Sequence, residues 1–213
     1  MSYRVGARAI APIAVAASFF GVSFGLLARS AGFGWAAPLV MSLTTFAGSA
    51  QFATVSILRD GGGAVAAIAA AVLLNARYGP IGISVAHGFT GGCVRRLLEA
   101  QLVVDESWAI AVGRGQFDRR VLVGAGLVLY AAWNLGTAVG LVGGRFLGDP
   151  NRLGLDAAFP ALFLALLAPQ LRGRRPVTAA LVAAAIALVL IPFAPAGVPI
   201  VAASAACLLG WRR

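Results

Sequence analysis

Apolar residues fall along this chain in long unbroken runs, not in the period-two alternation of a half-buried strand. No charge interrupts residues 9–27 or residues 30–58. A membrane-crossing helix needs about 20 apolar residues, so each run is long enough to hold one. Two shorter runs, 61–76 and 78–94, are separated by Arg77 alone. After a charged stretch at 95–120 come runs at 121–144, 157–171 and 176–211. The last is too long for one crossing, and Pro192, Pro195 and Pro199 divide it into a hairpin of two short spans. The pattern predicts an all-α, polytopic integral membrane bundle of about eight spans, two of them short or re-entrant. It forms one transmembrane domain over residues 1–213, with a broken helix near Asn75–Pro80.

Composition agrees. Of 213 residues, 60% are hydrophobic and only 11% charged, where a soluble domain carries about 25% charged residues. The net charge of +10 invites a nucleic-acid reading. Every basic residue is arginine, however, and the arginines cluster between apolar runs, where they act as orientation signals. No nucleic-acid partner is expected. Placing the N-terminus in the cytoplasm puts Arg4, Arg8, Arg59, Arg95, Arg96, Arg114, Arg119, Arg120, Arg172, Arg174, Arg175, Arg212 and Arg213 inside. Only Arg29, Arg145 and Arg152 are then outside. That asymmetry predicts a multi-pass protein of a bacterial cytoplasmic (inner) membrane with both termini cytoplasmic. The first run is longer than a signal-peptide core and lacks an A-x-A site at 28–30, so it is expected to remain as a span. With Arg59 and Arg95 both inside, residues 61–94 enter the membrane and return. Cys93 and Cys207 form no metal-binding pattern, and no metal or cofactor is expected.

An internal echo links Ala16, Ala17, Gly21, Gly25 and Leu26 to Ala131, Ala132, Gly136, Gly140 and Leu141. It reads either as a repeat or as small-residue packing faces. Under the predicted orientation both copies run in the same direction.

Three segments carry candidate chemistry. Phe46, Gly48, Ser49, Gln51 and Phe52 put small and polar residues late in an apolar run, suited to a ligand or to interhelical hydrogen bonds. Asn75, Arg77, Tyr78 and Gly79 precede Pro80. An arginine there costs about 2.5–3.5 kcal/mol on insertion scales, and it faces either a substrate path or the headgroups. Asp105 and Glu106 sit together in a short apolar stretch, as a helix start or as carriers of protons. His87, the single histidine, is a local hydrogen bonder or a further proton relay. Ser49 with His87 would imitate a serine-protease dyad, but the flanking pattern is missing. No Walker motif is present.

Taken in order, F-A-G-S-A-Q-F at 46–52, L-N-A-R-Y-G at 74–79, the D-E pair, F-P-A-L-F at 159–163 and the arginines at 172–175 resemble the AzlC family. Phe24-Gly25-Leu26 fits as well. Val104 and Tyr78 depart from the family pattern, where threonine and histidine are common. The resemblance implies a transporter, not an enzyme, that exports branched-chain or similar hydrophobic amino acids. It also implies a small AzlD-like second subunit. With no Walker motif, coupling to the proton gradient is the default, with Asp105, Glu106 or His87 as carriers. The Gly21/Gly25 and Gly136/Gly140 faces are expected to dock that subunit. A transporter or channel for another small solute is the alternative, and an intramembrane serine hydrolase is a remoter one.

Overall fold

A computed structural model describes residues 2–112, 117–143, 173–195 and 198–206, with 164, 167, 168 and 171 besides. The regular elements among these residues are all helical. In chain order they are α1 (Tyr3–Ser30), α2 (Ala36–Thr44), α3 (Gly48–Arg59), α4 (Ala64–Asn75) and α5 (Tyr78–Val85). A 3-10 turn follows at Ala86–Gly88, then α6 (Cys93–Ala100), α7 (Asp105–Val112), α8 (Arg119–Gly143), α9 (Arg174–Leu190) and α10 (Val198–Ala203). Among them α1 and α8 are each long and apolar enough to cross a membrane, and α4 with α5 makes a third span if counted as one broken helix. The expected total of about eight spans reaches beyond these. The F-P-A-L-F stretch, Arg114, Arg145, Arg152, Arg172, Arg212, Arg213 and Cys207 lie outside the described residues.

The chain divides into two compact units, Met1–Gln51 with Asn75–Gly148, and Phe52–Leu74 with Asp149–Arg213. The spine of the first unit is the α1–α8 pair. A Cβ added to Gly21 would stand 2.5 Å from the Trp133 carbonyl oxygen. One on Gly25 would strike the Thr137 carbonyl, and ones on Gly136 and Gly140 would strike those of Ser18 and Val22. Only glycine lets the two backbones meet this closely. The contacts advance together, Gly6 at Val121 and Gly25 at Thr137 and Leu141, so the helices run in the same direction. The echoed glycines are therefore each other's packing partners. This corrects the expectation that they dock a second subunit: the surfaces are already occupied.

Large apolar side chains point the other way. Phe19 on α1 is 69% exposed and Leu135 on α8 is 67% exposed, while the glycines are buried. Small residues inside and bulky ones outside is the packing of helices whose surroundings are lipid. The second unit repeats it: Ala67 and Ala70 of α4 pack with Ile57 of α3, and Val65, Ile68 and Val72 face outward. There α9 ends at Leu190, two residues before Pro192, at the expected break.

Candidate functional site

The run at 30–58 does not form the one helix expected of it. It breaks into α2 and α3 at Thr45–Ala47, and Phe46 at the break has a φ of +42°. A bulky residue in that region is uncommon and strained, and the surroundings hold it there. The Phe46 ring stands edge-on to Tyr130, with centroids 5.0 Å apart. The carbonyls freed at the end of α2 find donors: Tyr130 Oη donates to Leu43 O at 2.8 Å, and Gln101 Nε2 to Thr44 O at 2.8 Å.

Beneath the break is a closed polar network. Ser42 Oγ accepts from Gln51 Nε2 at 2.9 Å and from Trp133 Nε1 at 3.2 Å, and lies 3.0 Å from Thr137 Oγ1. Thr137 Oγ1 donates to Trp133 O at 2.9 Å, so the Ser42 proton goes to Thr137. Gln51 Oε1 accepts from Ala47 N at 3.3 Å. Ser42, Gln51 and Thr137 are fully buried. Gln51, expected at the substrate, spends both ends of its amide holding the break. Gly48 is likewise explained by packing: the Trp133 ring lies where its Cβ would be, at 2.8 Å.

The break between α4 and α5 differs. Arg77 stands at its centre, as the sequence suggested. Its Nη2 donates to Ser49 Oγ and to Tyr78 Oη, each at 3.3 Å. Its Nε lies 3.0 Å from Asp105 Oδ2, but the N–H is not aimed at that oxygen, so the pairing is by charge with no aligned hydrogen bond. The Asn75 Oδ1, two residues away, is buried without a partner. Buried polar atoms are rarely left so. The ion pair is also approachable, with Arg77 37% and Asp105 36% exposed at the side chain.

Asp105 opens α7 and Glu106 lies in its first turn, the helix start, and Asp105 faces Arg77 from there. Ser107 fixes that start: its buried Oγ accepts from Val104 N at 3.0 Å and donates to Leu102 O at 2.7 Å. His87, in the 3-10 turn, packs its ring on Phe117 at 5.7 Å. No hydrogen bond joins it to Ser49, and the dyad is not assembled. Phe52 is buried and Gly79 is exposed. Thus Ser49, Arg77, Tyr78 and Asp105 come together, while Gln51, Gly48 and Phe46 belong to the first break. The sequence reading missed Ser42, Gln101, Tyr130, Trp133 and Thr137, whose roles depend on neighbours far along the chain.

The chain matches the AzlC protein family over residues 12–147. It belongs to that family. An "Uncharacterized membrane protein" of Archaeoglobus fulgidus is 30% identical over 98% of this chain and 94% of its own length. The "Branched-chain amino acid transport protein AzlC" of Bacillus subtilis is 29% identical over 75% of this chain and 64% of its own. An "Uncharacterized membrane protein" of Helicobacter pylori is 27% identical, covering 70% of this chain and 67% of that protein. No solved structure matches the chain. The AzlC member is a membrane protein whose described helices place one charged cluster at a helix break.

Proposed function

We propose that this AzlC-family protein is a transporter that exports branched-chain or similar hydrophobic amino acids, with Arg77 receiving the substrate carboxylate. The observation that carries this is the unfinished Arg77 site, a part-exposed guanidinium whose Nε is misaligned with Asp105; the unpartnered Asn75 Oδ1, two residues earlier in the chain, is an acceptor that suits the substrate ammonium. A carboxylate can accept two parallel N–H bonds from the guanidinium fork, which Asp105 does not do here. A substrate arriving there competes with Asp105. Once displaced, Asp105 is available to the substrate ammonium or to a proton, and that exchange ties transport to the proton gradient. Glu106 and His87 are secondary carriers in this scheme. The printed name of the Bacillus subtilis relative supports the substrate class.

The topology proposed from the arginines gains support from α1 and α8. They run in the same direction, and each opens with two arginines, Arg4 and Arg8 or Arg119 and Arg120. Both then start at the cytoplasmic face of the cytoplasmic membrane, and a reporter fused at Arg213 is expected to give a cytoplasmic signal. The small AzlD-like subunit completes the proposal. In liposomes the purified chain alone is expected to export poorly, and full export by it alone would remove the subunit from the scheme.

The direct test is export of radiolabelled leucine by Arg77→Lys and Arg77→Gln at matched membrane abundance. Lysine keeps the charge but not the fork. Glutamine removes the charge and lysine removes the fork, so each misplaces the carboxylate, and both variants should export on the order of a hundredfold more slowly. Near-normal export by Arg77→Lys would make Arg77 a headgroup anchor and refute the site.

A further inference from the structure

A cleft of about 550 Å³ opens beside Arg77 in the same compact unit. One wall is a single face of α5 and its 3-10 extension, Tyr78, Gly82 and Ala86, spaced four residues apart. The facing wall is one stripe of α6, Cys93, Arg96, Leu97 and Ala100, at the i, i+3, i+4, i+7 spacing of a helix face. Tyr78 belongs both to the cleft and to the Arg77 cluster, since its hydroxyl accepts from Arg77 Nη2. The remaining lining is mostly small or apolar. A Cβ on Gly82 would meet nothing within 4 Å, so the space beside α5 is open. The volume is within the range of small-ligand pockets, roughly 300–1,000 Å³.

We propose that this cleft is the side-chain compartment of the substrate site. It receives the apolar side chain of the amino acid whose carboxylate Arg77 holds, and Gly82 sets how large that side chain can be. The proposal rests on the functional reading given above. Tyr78 is the hinge between the two compartments: its hydroxyl faces the charged end and its ring borders the apolar one. Arg96, on the α6 stripe, supplies positive charge that draws a carboxylate toward the opening.

The test is Gly82→Leu, whose Cβ enters open space and whose side chain takes up part of the cleft. Export of leucine and of alanine is measured for the wild type and the variant in the same vesicles, with the wild-type ratio as reference. A pocket lengthened or shortened by one methylene changes discrimination about 10–200-fold, so the leucine-to-alanine ratio should fall at least about tenfold. An unchanged ratio, or an equal loss of both amino acids, overturns the proposal. If the wild type exports neither amino acid, the functional reading itself fails, and the cleft assignment falls with it. A second measurement covers a variant that does not reach the membrane. In a Cys207→Ser background, leucine should slow modification of Cys93 by a methanethiosulfonate reagent, while glycine, which has no side chain, should not. Equal rates with leucine and glycine overturn the assignment.

Discussion

The two helix breaks in the first unit are built on opposite terms. At the α2–α3 break the polar atoms of Ser42, Gln51 and Thr137 are buried and engaged, and the freed carbonyls of Leu43 and Thr44 are covered by Tyr130 and Gln101. At the α4–α5 break Arg77 is paired with Asp105 without alignment, and Asn75 Oδ1 has no partner. A completed buried network rigidifies what it touches. An incomplete one leaves bonding capacity for something that arrives. The first break is the frame against which Ser49 is held; the second is where a ligand gains most.

The largest expected effect tests the frame. Ser42→Val removes the oxygen shared by Gln51 Nε2 and Trp133 Nε1. Losing that acceptor costs about 1–3 kcal/mol for each buried donor that bonds it, so the variant should lose roughly 2–6 kcal/mol and its thermal midpoint in detergent should fall by several degrees. Asn75→Ala takes away an acceptor that has no partner, so its stability should stay within about 1 kcal/mol of wild type while leucine export drops. If Asn75→Ala unfolds as readily as Ser42→Val, the contrast between the breaks is wrong.

A smaller effect is expected at Asp105. Asp105→Asn keeps the shape next to Arg77 but carries no charge and no titrating proton. Export down a leucine gradient should persist at a reduced rate and should no longer respond to an imposed pH difference across the vesicle membrane. An undiminished response would transfer proton coupling to Glu106 or His87.

Much of the second break was legible in the sequence, and little of the first. A lone arginine between uncharged runs is conspicuous because charge in lipid is costly, and Gly79 with Pro80 marks a helix boundary. Its partner Asp105 was visible as an acid but not as the counterion of Arg77, because nothing local pairs residues 28 positions apart. The break at Phe46 carries no glycine or proline at the position that takes the positive φ. Its cause is tertiary: Ser42 and Thr137 meet across 95 residues. The glycine echo was readable as a pattern, but two faces suited to close packing do not say whether they pack on a partner or on each other. In this protein they pack on each other.

The smallest expected effect joins the two regions through α6. One stripe of that helix lines the cleft next to Tyr78, and Gln101, just beyond its end, caps α2. Glu99, on the other side of α6, fixes the helix: its carboxylate accepts from Arg119 Nε at 2.6 Å, again from Arg119 Nη2, and from Arg95 Nε at 3.0 Å. The Arg119 hydrogen bonds, joined by that from Arg95, outweigh the cost of burial and hold the Glu99 carboxyl below the usual glutamate range. A carboxyl lowered in the folded state adds stability that is complete above its unfolded pKa, about 4.3, and is lost as pH falls through the lower folded value. Glu99→Gln should therefore lower the thermal midpoint by a constant amount between about pH 6 and 8, with the gap to wild type closing only below about pH 4. Because α6 serves both breaks, the variant should also weaken the Gln101 cap, and proteolysis near Thr45 should quicken at neutral pH. A midpoint gap that instead closed near neutrality would mean that another group, not Glu99, controls how α6 is fastened.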